Sequence, residues 1–218
     1  GVTVEFTVTG GAGGVTGAAK VTGADGTAAV DAWTLGTRAG MNTLQALVAG
    51  LEPVTFSATG VAGEAKRLNI TSISGEPYTV GGTVNVTAIA RDDHGNPVPG
   101  ARIEWEAGHG SFAEPATTTG ADGVTIGQWT LGTVAGAQRV VIRHSSEVWV
   151  QLQLTAAPGP AAELRILREP SGQARNAEPF AQQPQIQIVD AYGNPVQASE
   201  TVGASVNGPA GATTVGTA

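Results

Sequence analysis

The sequence predicts an all-β chain built as tandem two-sheet sandwiches, and three observations carry that prediction. The string Trp33-Thr-Leu-Gly-Thr-Arg-Ala-Gly40 is answered by Trp129-Thr-Leu-Gly-Thr-Val-Ala-Gly136, 96 residues later (129 − 33). A fixed period of domain length means copies of one unit in series. The segments between such landmarks alternate apolar and polar residues with a period of two, the pattern of half-buried strands. Glycine is abundant, at 32 of 218 residues, beside many Thr, Val and Ala, as in short strands joined by tight turns.

Three further landmarks repeat. Thr22-Gly-Ala-Asp-Gly26 returns as Thr119-Gly-Ala-Asp-Gly123, Asp92-Asp-His-Gly-Asn-Pro-Val98 as Asp190-Ala-Tyr-Gly-Asn-Pro-Val196, and Gly1–Phe6 resembles Gly100–Trp105. The offset drifts by single residues, as it does when insertions fall in turns. Along the chain, Val2, Val4, Phe6 and Val8 face one way, and Thr3, Glu5, Thr7 and Thr9 the other. Val54, Phe56 and Ala58 form a second apolar face, matched one period later by Val150, Leu152 and Leu154. Val84, Val86, Ala88 and Ala90 form another, and Ile103 and Trp105 share one. Gly, Pro, Asn or Asp stands in every gap, and no window of ten or more residues has a helical period. Turn signals every 8–12 residues mark a β-sandwich.

The register sets the boundaries. Residues 59–68 align without a gap to 155–164, so both stretches link a last strand to the next first strand. The complete unit is expected over 67–162. Residues 1–66 then lack the first two strands of a unit and form its C-terminal part, and 163–218 form an N-terminal part. A unit of about 96 residues buries an adequate core without staples. Cysteine is absent, which removes disulfides, zinc-thiolate sites and thiol nucleophiles. The net charge of −7 argues against binding a nucleic-acid backbone or an anionic membrane surface. No stretch reaches the apolar length of a membrane span. The chain starts at Gly1 rather than Met and is expected to be an internal piece of a longer protein, with targeting signals elsewhere.

With its Asp-x-x-Gly-Asn-Pro-Val turn, its later Asp-Gly turn and a strand ending in Thr-Leu-Gly-Thr-x-Ala-Gly, the chain resembles bacterial immunoglobulin-like repeats of the invasin/intimin type. The resemblance covers the full chain. It implies tandem immunoglobulin-like β-sandwiches, one complete and two partial, from a secreted or outer-surface bacterial protein. In such proteins the repeats form a stalk that holds an adhesive tip away from the cell, and an outer-membrane anchor would lie elsewhere in the full chain. The partners implied are neighbouring repeats of the same chain and a ligand on a host or neighbouring cell. No nucleic acid, no membrane contact by this segment and no cofactor are implied. The alternatives are a glycan- or protein-binding module, or accessory domains of an extracellular polysaccharide-degrading enzyme.

In the Asp92 turn, the carboxylate can accept backbone N–H groups two residues on, Gly95-Asn96 supplies positive φ, and Pro97 fixes the exit. Asp92, Asp93 and Asn96 are also the candidate calcium ligands, but they offer about half of the six to eight oxygens calcium takes. Asp25-Gly26 and Asp122-Gly123 are hairpin turn signals. Trp33 and Trp129 are expected to pack in the core or at a domain end. Trp105, matching Phe6, is expected to be the core aromatic between the sheets. Trp149 falls in the register opposite to Val148, Val150 and Leu152, so it is expected to face outward, and it is the candidate binding residue. Its counterpart one repeat earlier is Pro53. His94, His109 and His144 have neither metal spacing nor a local nucleophile motif. Glu104 and Glu106 alternate outward on one strand. No enzyme is expected.

Overall fold

The computed structural model describes residues 1–197 and 202–203, and every regular element among them is a strand. Expectations for the rest of 163–218 lie outside the described residues. The first stretch holds β1 (Thr3–Gly10), β2 (Gly14–Thr16), β3 (Ala19–Val21), β4 (Ala32–Thr34), β5 (Gly40–Leu47) and β6 (Val54–Gly60). The second holds β7 (Arg67–Ser74), β8 (Thr83–Arg91), β9 (Glu104–Ala107), β10 (Ser111–Phe112), β11 (Val124–Thr130), β12 (Gly136–Arg143) and β13 (Trp149–Ala156). A final pair, β14 (Ala161–Arg168) and β15 (Gln185–Asp190), follows.

The second stretch is a closed two-sheet sandwich. One sheet runs β10-β11-β8-β7 and the other β13-β12-β9, with every pairing antiparallel. This is the four-plus-three strand arrangement of a constant-type immunoglobulin domain. The sequence dictates it through β8, where Val84, Val86, Ala88 and Ala90 are all fully buried. They share one core with Val140 and Ile142 of β12 and Trp129 of β11. Aliphatic side chains and Trp129 thus fill an interior that contains no cysteine.

Trp129 is the largest fully buried side chain, and its indole N–H donates to the His109 carbonyl at 2.8 Å. Trp105, expected to be the buried core aromatic, is only half-buried. The reason is its place on β9, the edge strand of the three-stranded sheet. Its ring still lies between the sheets, over Gly127 of β11, where an added Cβ would sit 2.9 Å from the ring. Phe112 bridges the two tryptophans, with ring centroids 5.0 Å from Trp105 and 6.4 Å from Trp129.

The first stretch holds part of the same pattern. Its sheet runs β3-β1-β5-β6, with a separate β2-β4 ribbon, and nothing in it corresponds to β7 and β8. In the closed unit β11 pairs with β8 along its whole length of 7 residues; β4, at the corresponding position, keeps only 3. The buried Trp33 indole N–H has no acceptor, unlike that of Trp129. The apolar face expected of Val54 and Phe56 lies open, at 57% and 47% exposed, although Leu154 of the matching strand is buried. Phe6 is buried, whereas Val2 is exposed. β14 and β15 pair as an isolated two-stranded sheet, with Leu164 and Ile166 exposed.

The Trp105–Gly127 contact makes a prediction about the closed unit. Trp105→Ala is expected to cost about 3 kcal/mol, the low end for emptying an aromatic site, because the ring is half-exposed. Gly127→Val is expected to cost about 1–3 kcal/mol by overpacking, and clearly less in the Trp105→Ala background. Opening free energies from amide exchange at Val84, Val86 and Val140 would give the cycle. Additive costs would mean the two residues do not share one space.

Candidate functional site

The repeated motifs meet at the joints between successive units. In β12 the buried Gln138 side chain holds the corner before its own strand: its Oε1 accepts from Gly132 N–H at 3.0 Å, and its Nε2 donates to Val134 C=O at 2.6 Å. In β5 the fully buried Asn42 does the same work, accepting from Gly36 N–H at 3.0 Å and donating to Gly40 C=O at 3.1 Å. Each corner is a Thr-x-Ala segment, Thr37–Ala39 or Thr133–Ala135, whose outer backbone groups remain free for the next unit.

The next unit supplies an asparagine. The Asn96 amide accepts from Ala39 N–H at 2.9 Å and donates to Thr37 C=O at 2.8 Å. The same pair forms at the second joint, where Asn194 accepts from Ala135 N–H at 2.8 Å and donates to Thr133 C=O at 2.8 Å. One amide thus reads a donor and an acceptor two residues apart, because a carboxamide carries an N–H donor and a C=O acceptor side by side on one planar group.

The rest of the Asp-x-x-Gly-Asn turn aims that amide. Asp92 Oδ1 accepts the His94 and Asn96 N–H groups at 2.9 and 2.8 Å. Its Oδ2 accepts the Asn96 side-chain amide at 2.9 Å and the linker Gly63 N–H at 3.0 Å. Asp190 repeats the set with Tyr192, Asn194 and linker Gly159. Gly95, with φ of 85°, alone takes the positive φ; Asn96, expected to share it, does not. Its side chain is therefore free to cross the joint. Arg91 donates to Gly95 C=O at 2.7 Å and Arg67 to Asp93 C=O at 2.8 Å, which ties the turn to β7 and β8.

These bonds set the acidities. The Asn96 side-chain amide first, then the Gly63 N–H and the turn's own backbone N–H groups, hold the Asp92 carboxyl far below the usual carboxylate range against the opposing effect of burial. For Asp190 burial pushes upward most strongly, but the bonds from Asn194, Gly159 and Tyr192 together outweigh it and bring the value down to about 2.

The candidate calcium ligands Asp92, Asp93 and Asn96 are placed by the same geometry. Both Asp92 oxygens receive N–H donors, Asn96 Oδ1 receives Ala39 N–H, and Asp93 is exposed. Among the described residues no group of three or more His, Asp or Glu is placed to hold a metal. The Asp25 and Asp122 turns cap their own loops, accepting from Thr27 N–H at 3.1 Å and Val124 N–H at 3.0 Å. His144 is half-buried, its Nδ1 2.9 Å from the Arg102 carbonyl oxygen. Trp149 stands on the outer face of β13, 49% exposed, with the Arg143 guanidinium 5.7 Å from its ring centroid. The joint role of Asn96 and Asn194 escaped the sequence reading. The available signal was that Asn follows Gly in both turns while Thr-x-Ala recurs one unit earlier at each joint.

The fold and its joints define a chain of immunoglobulin-like sandwiches in series. Among solved structures, an Escherichia coli adhesin, FdeC, is similar over 90% of this chain and 65% of that chain, with 22% identity and a TM-score of 0.58. InvD of Yersinia pseudotuberculosis is similar over 90% and 62%, with 22% identity and a TM-score of 0.49. Invasin, described as a bacterial integrin-binding protein, is similar over 92% and 42%, with 19% identity and a TM-score of 0.44. This chain therefore spans less than two thirds of each of these proteins, and the FdeC likeness establishes the immunoglobulin-like fold. No family model and no curated protein sequence matches the chain.

Two predictions follow from the joint geometry. Each asparagine makes two bonds across a joint, worth about 0.5–1.5 kcal/mol each. Asn96→Ala should leave the sandwich folded yet raise protease cleavage in 61–66. Asn96→Asp should raise it further, since it loses the donor and sets a second carboxylate against Asp92. Equal protection in all three proteins would remove the amide from the joint. Lowered carboxyl pKa values also fix a pH dependence. Their contribution is complete above the unfolded value of about 3.9 and is lost as pH falls through the folded value. With Asp190 at about 2 and Asp92 also held well below its ordinary value, both joints should loosen on acidification below about pH 4. Amide exchange at Ala135 and Ala39 that stays unchanged between about pH 4 and pH 1.5 would remove the carboxylates from the joints.

Proposed function

We propose that the chain is a run of spacer repeats from a bacterial surface or secreted protein, with unit boundaries at 66/67 and 162/163, holding an adhesive segment away from the cell. The observation that carries this reading is the recurrence of one amide-to-corner contact at both joints, with bond lengths of 2.8–2.9 Å each time. A connection made twice in the same way sets one angle between neighbours, so length grows with the number of units. Short linkers, 61–66 and 157–160, are pinned through Gly63 and Gly159 to the following unit's aspartate. The fold shared with the FdeC adhesin supports the setting. An outer-membrane anchor would belong to another part of a longer protein.

Each sandwich measures about 35–40 Å along its strands, some ten residues at the usual rise. A compact globule of this chain length would have a radius of gyration of about 17 Å. Small-angle scattering is expected to give roughly 25–30 Å for units in series. A value near the globular figure would sink the spacer reading.

A further inference from the structure

The outer face of the β13-β12-β9 sheet carries a side-chain set that the neighbouring unit does not. Trp149, Arg143 and Glu106 lie side by side there. Arg143 is opposite Trp149 in the β12–β13 register, and its Nε lies 3.4 Å from Glu106 Oε2. The guanidinium also stands 5.7 Å from the indole centroid, so one residue pins the ring and is itself pinned. Gln151 and Gln153 follow Trp149 on the same face of β13, both exposed. At the corresponding places one repeat earlier stand Pro53, Leu47 and Thr7, then Thr55 and Ser57. The aromatic, the cation, the acid and both amides are therefore replaced together.

We infer that this face is a binding platform for an uncharged saccharide. A sugar ring has an apolar C–H face and a rim of hydroxyls. An exposed, fixed indole offers the apolar surface, and Gln151, Gln153 and Glu106 offer donors and acceptors around it. The charge balance selects the neutral class. Arg139 and Arg143 of β12 are balanced on this face by Glu104 and Glu106 of β9, and a chain of net charge −7 repels acidic polymers. A single tryptophan among polar side chains is too small an apolar area for a stable protein interface. A flat, open platform binds weakly, with Kd on the order of 1 mM, and gains through presentation in many copies. This inference is independent of the spacer reading, since a platform on an outer face leaves the joints untouched.

The test follows the Trp149 indole N–H by heteronuclear NMR, assigned by its absence in Trp149→Phe. Neutral probes are cellohexaose, chitohexaose and mannohexaose, and the acidic contrast is a heparin hexasaccharide, each to about 10 mM, tenfold above the expected Kd. At least one neutral probe is expected to shift this signal, with the response of the neighbouring Gln151 and Gln153 side chains lost in Trp149→Ala. Trp149 is half-exposed, so that variant should fold, and unchanged Trp129 and Trp105 signals check it. No shift with any neutral probe, a response to the acidic probe alone, or Gln151 and Gln153 responses retained in Trp149→Ala would overturn the inference.

Discussion

The structure depends on one constraint: the corner between the fifth and sixth strands of a unit must present a free N–H and a free C=O to the next unit at fixed positions. A bare loop would not hold them. A buried amide on the following strand therefore clamps the corner from inside, Asn42 in one unit and Gln138 in the next. The two differ by a methylene, and the second partner differs accordingly, Gly40 C=O for Asn42 and Val134 C=O for Gln138. The acceptor contact, from Gly36 or Gly132 N–H, is the same in both. From the corner the connection runs through Asn96 or Asn194 to an aspartate, and from there to the linker glycine. Every member is a hydrogen bond between groups with defined geometry, so the bonds carry orientation from one sandwich to the next.

Individually these bonds are modest. A net value of about 0.5–1.5 kcal/mol per bond is small beside the burial that holds a sandwich together. Their importance is directional. An apolar contact tolerates sliding, whereas an amide that must meet a donor and an acceptor two residues apart has essentially one productive pose. The aspartate prevents the amide from rotating, because it takes one of its protons and is itself held by three backbone N–H groups. The lowered pKa of the carboxyl is the electrostatic trace of that arrangement.

Much of the fold was legible because alternation reports burial directly when a strand is covered on one face. β8 is the clearest case, since all four of its predicted inward residues are buried. Alternation does not say whether a strand is central or at an edge, and this is why Trp105 and Trp129 exchanged importance: both point inward, but β9 is an edge. Nor does it report how far a face is covered: Val54 and Phe56 read like Val150 and Leu152, yet they are 57% and 47% exposed. The joint was the least legible part. Asn96 meets backbone groups, which any residue at 37 and 39 supplies, so no side-chain partner marks the contact. Its turn role also gave the motif a sufficient local explanation.

Comparing the two stretches within one chain separates what the architecture fixes from what it leaves free. Inward positions exchange like for like: Phe6 with Trp105, Leu44 with Val140, Asn42 with Gln138. Joint positions do not change at all, with Thr-x-Ala and Gly-Asn present on both sides. On the outer sheet face three exchanges cross chemical class, from Leu47 to Arg143, Pro53 to Trp149 and Thr7 to Glu106, while Glu5 and Glu104 match. That face neither packs a core nor meets the next unit, so its side chains are constrained by solubility alone unless something binds there. A repeat protein of this construction can hold length and angle constant through buried amides and corner contacts, and vary what each unit displays to its surroundings without disturbing either.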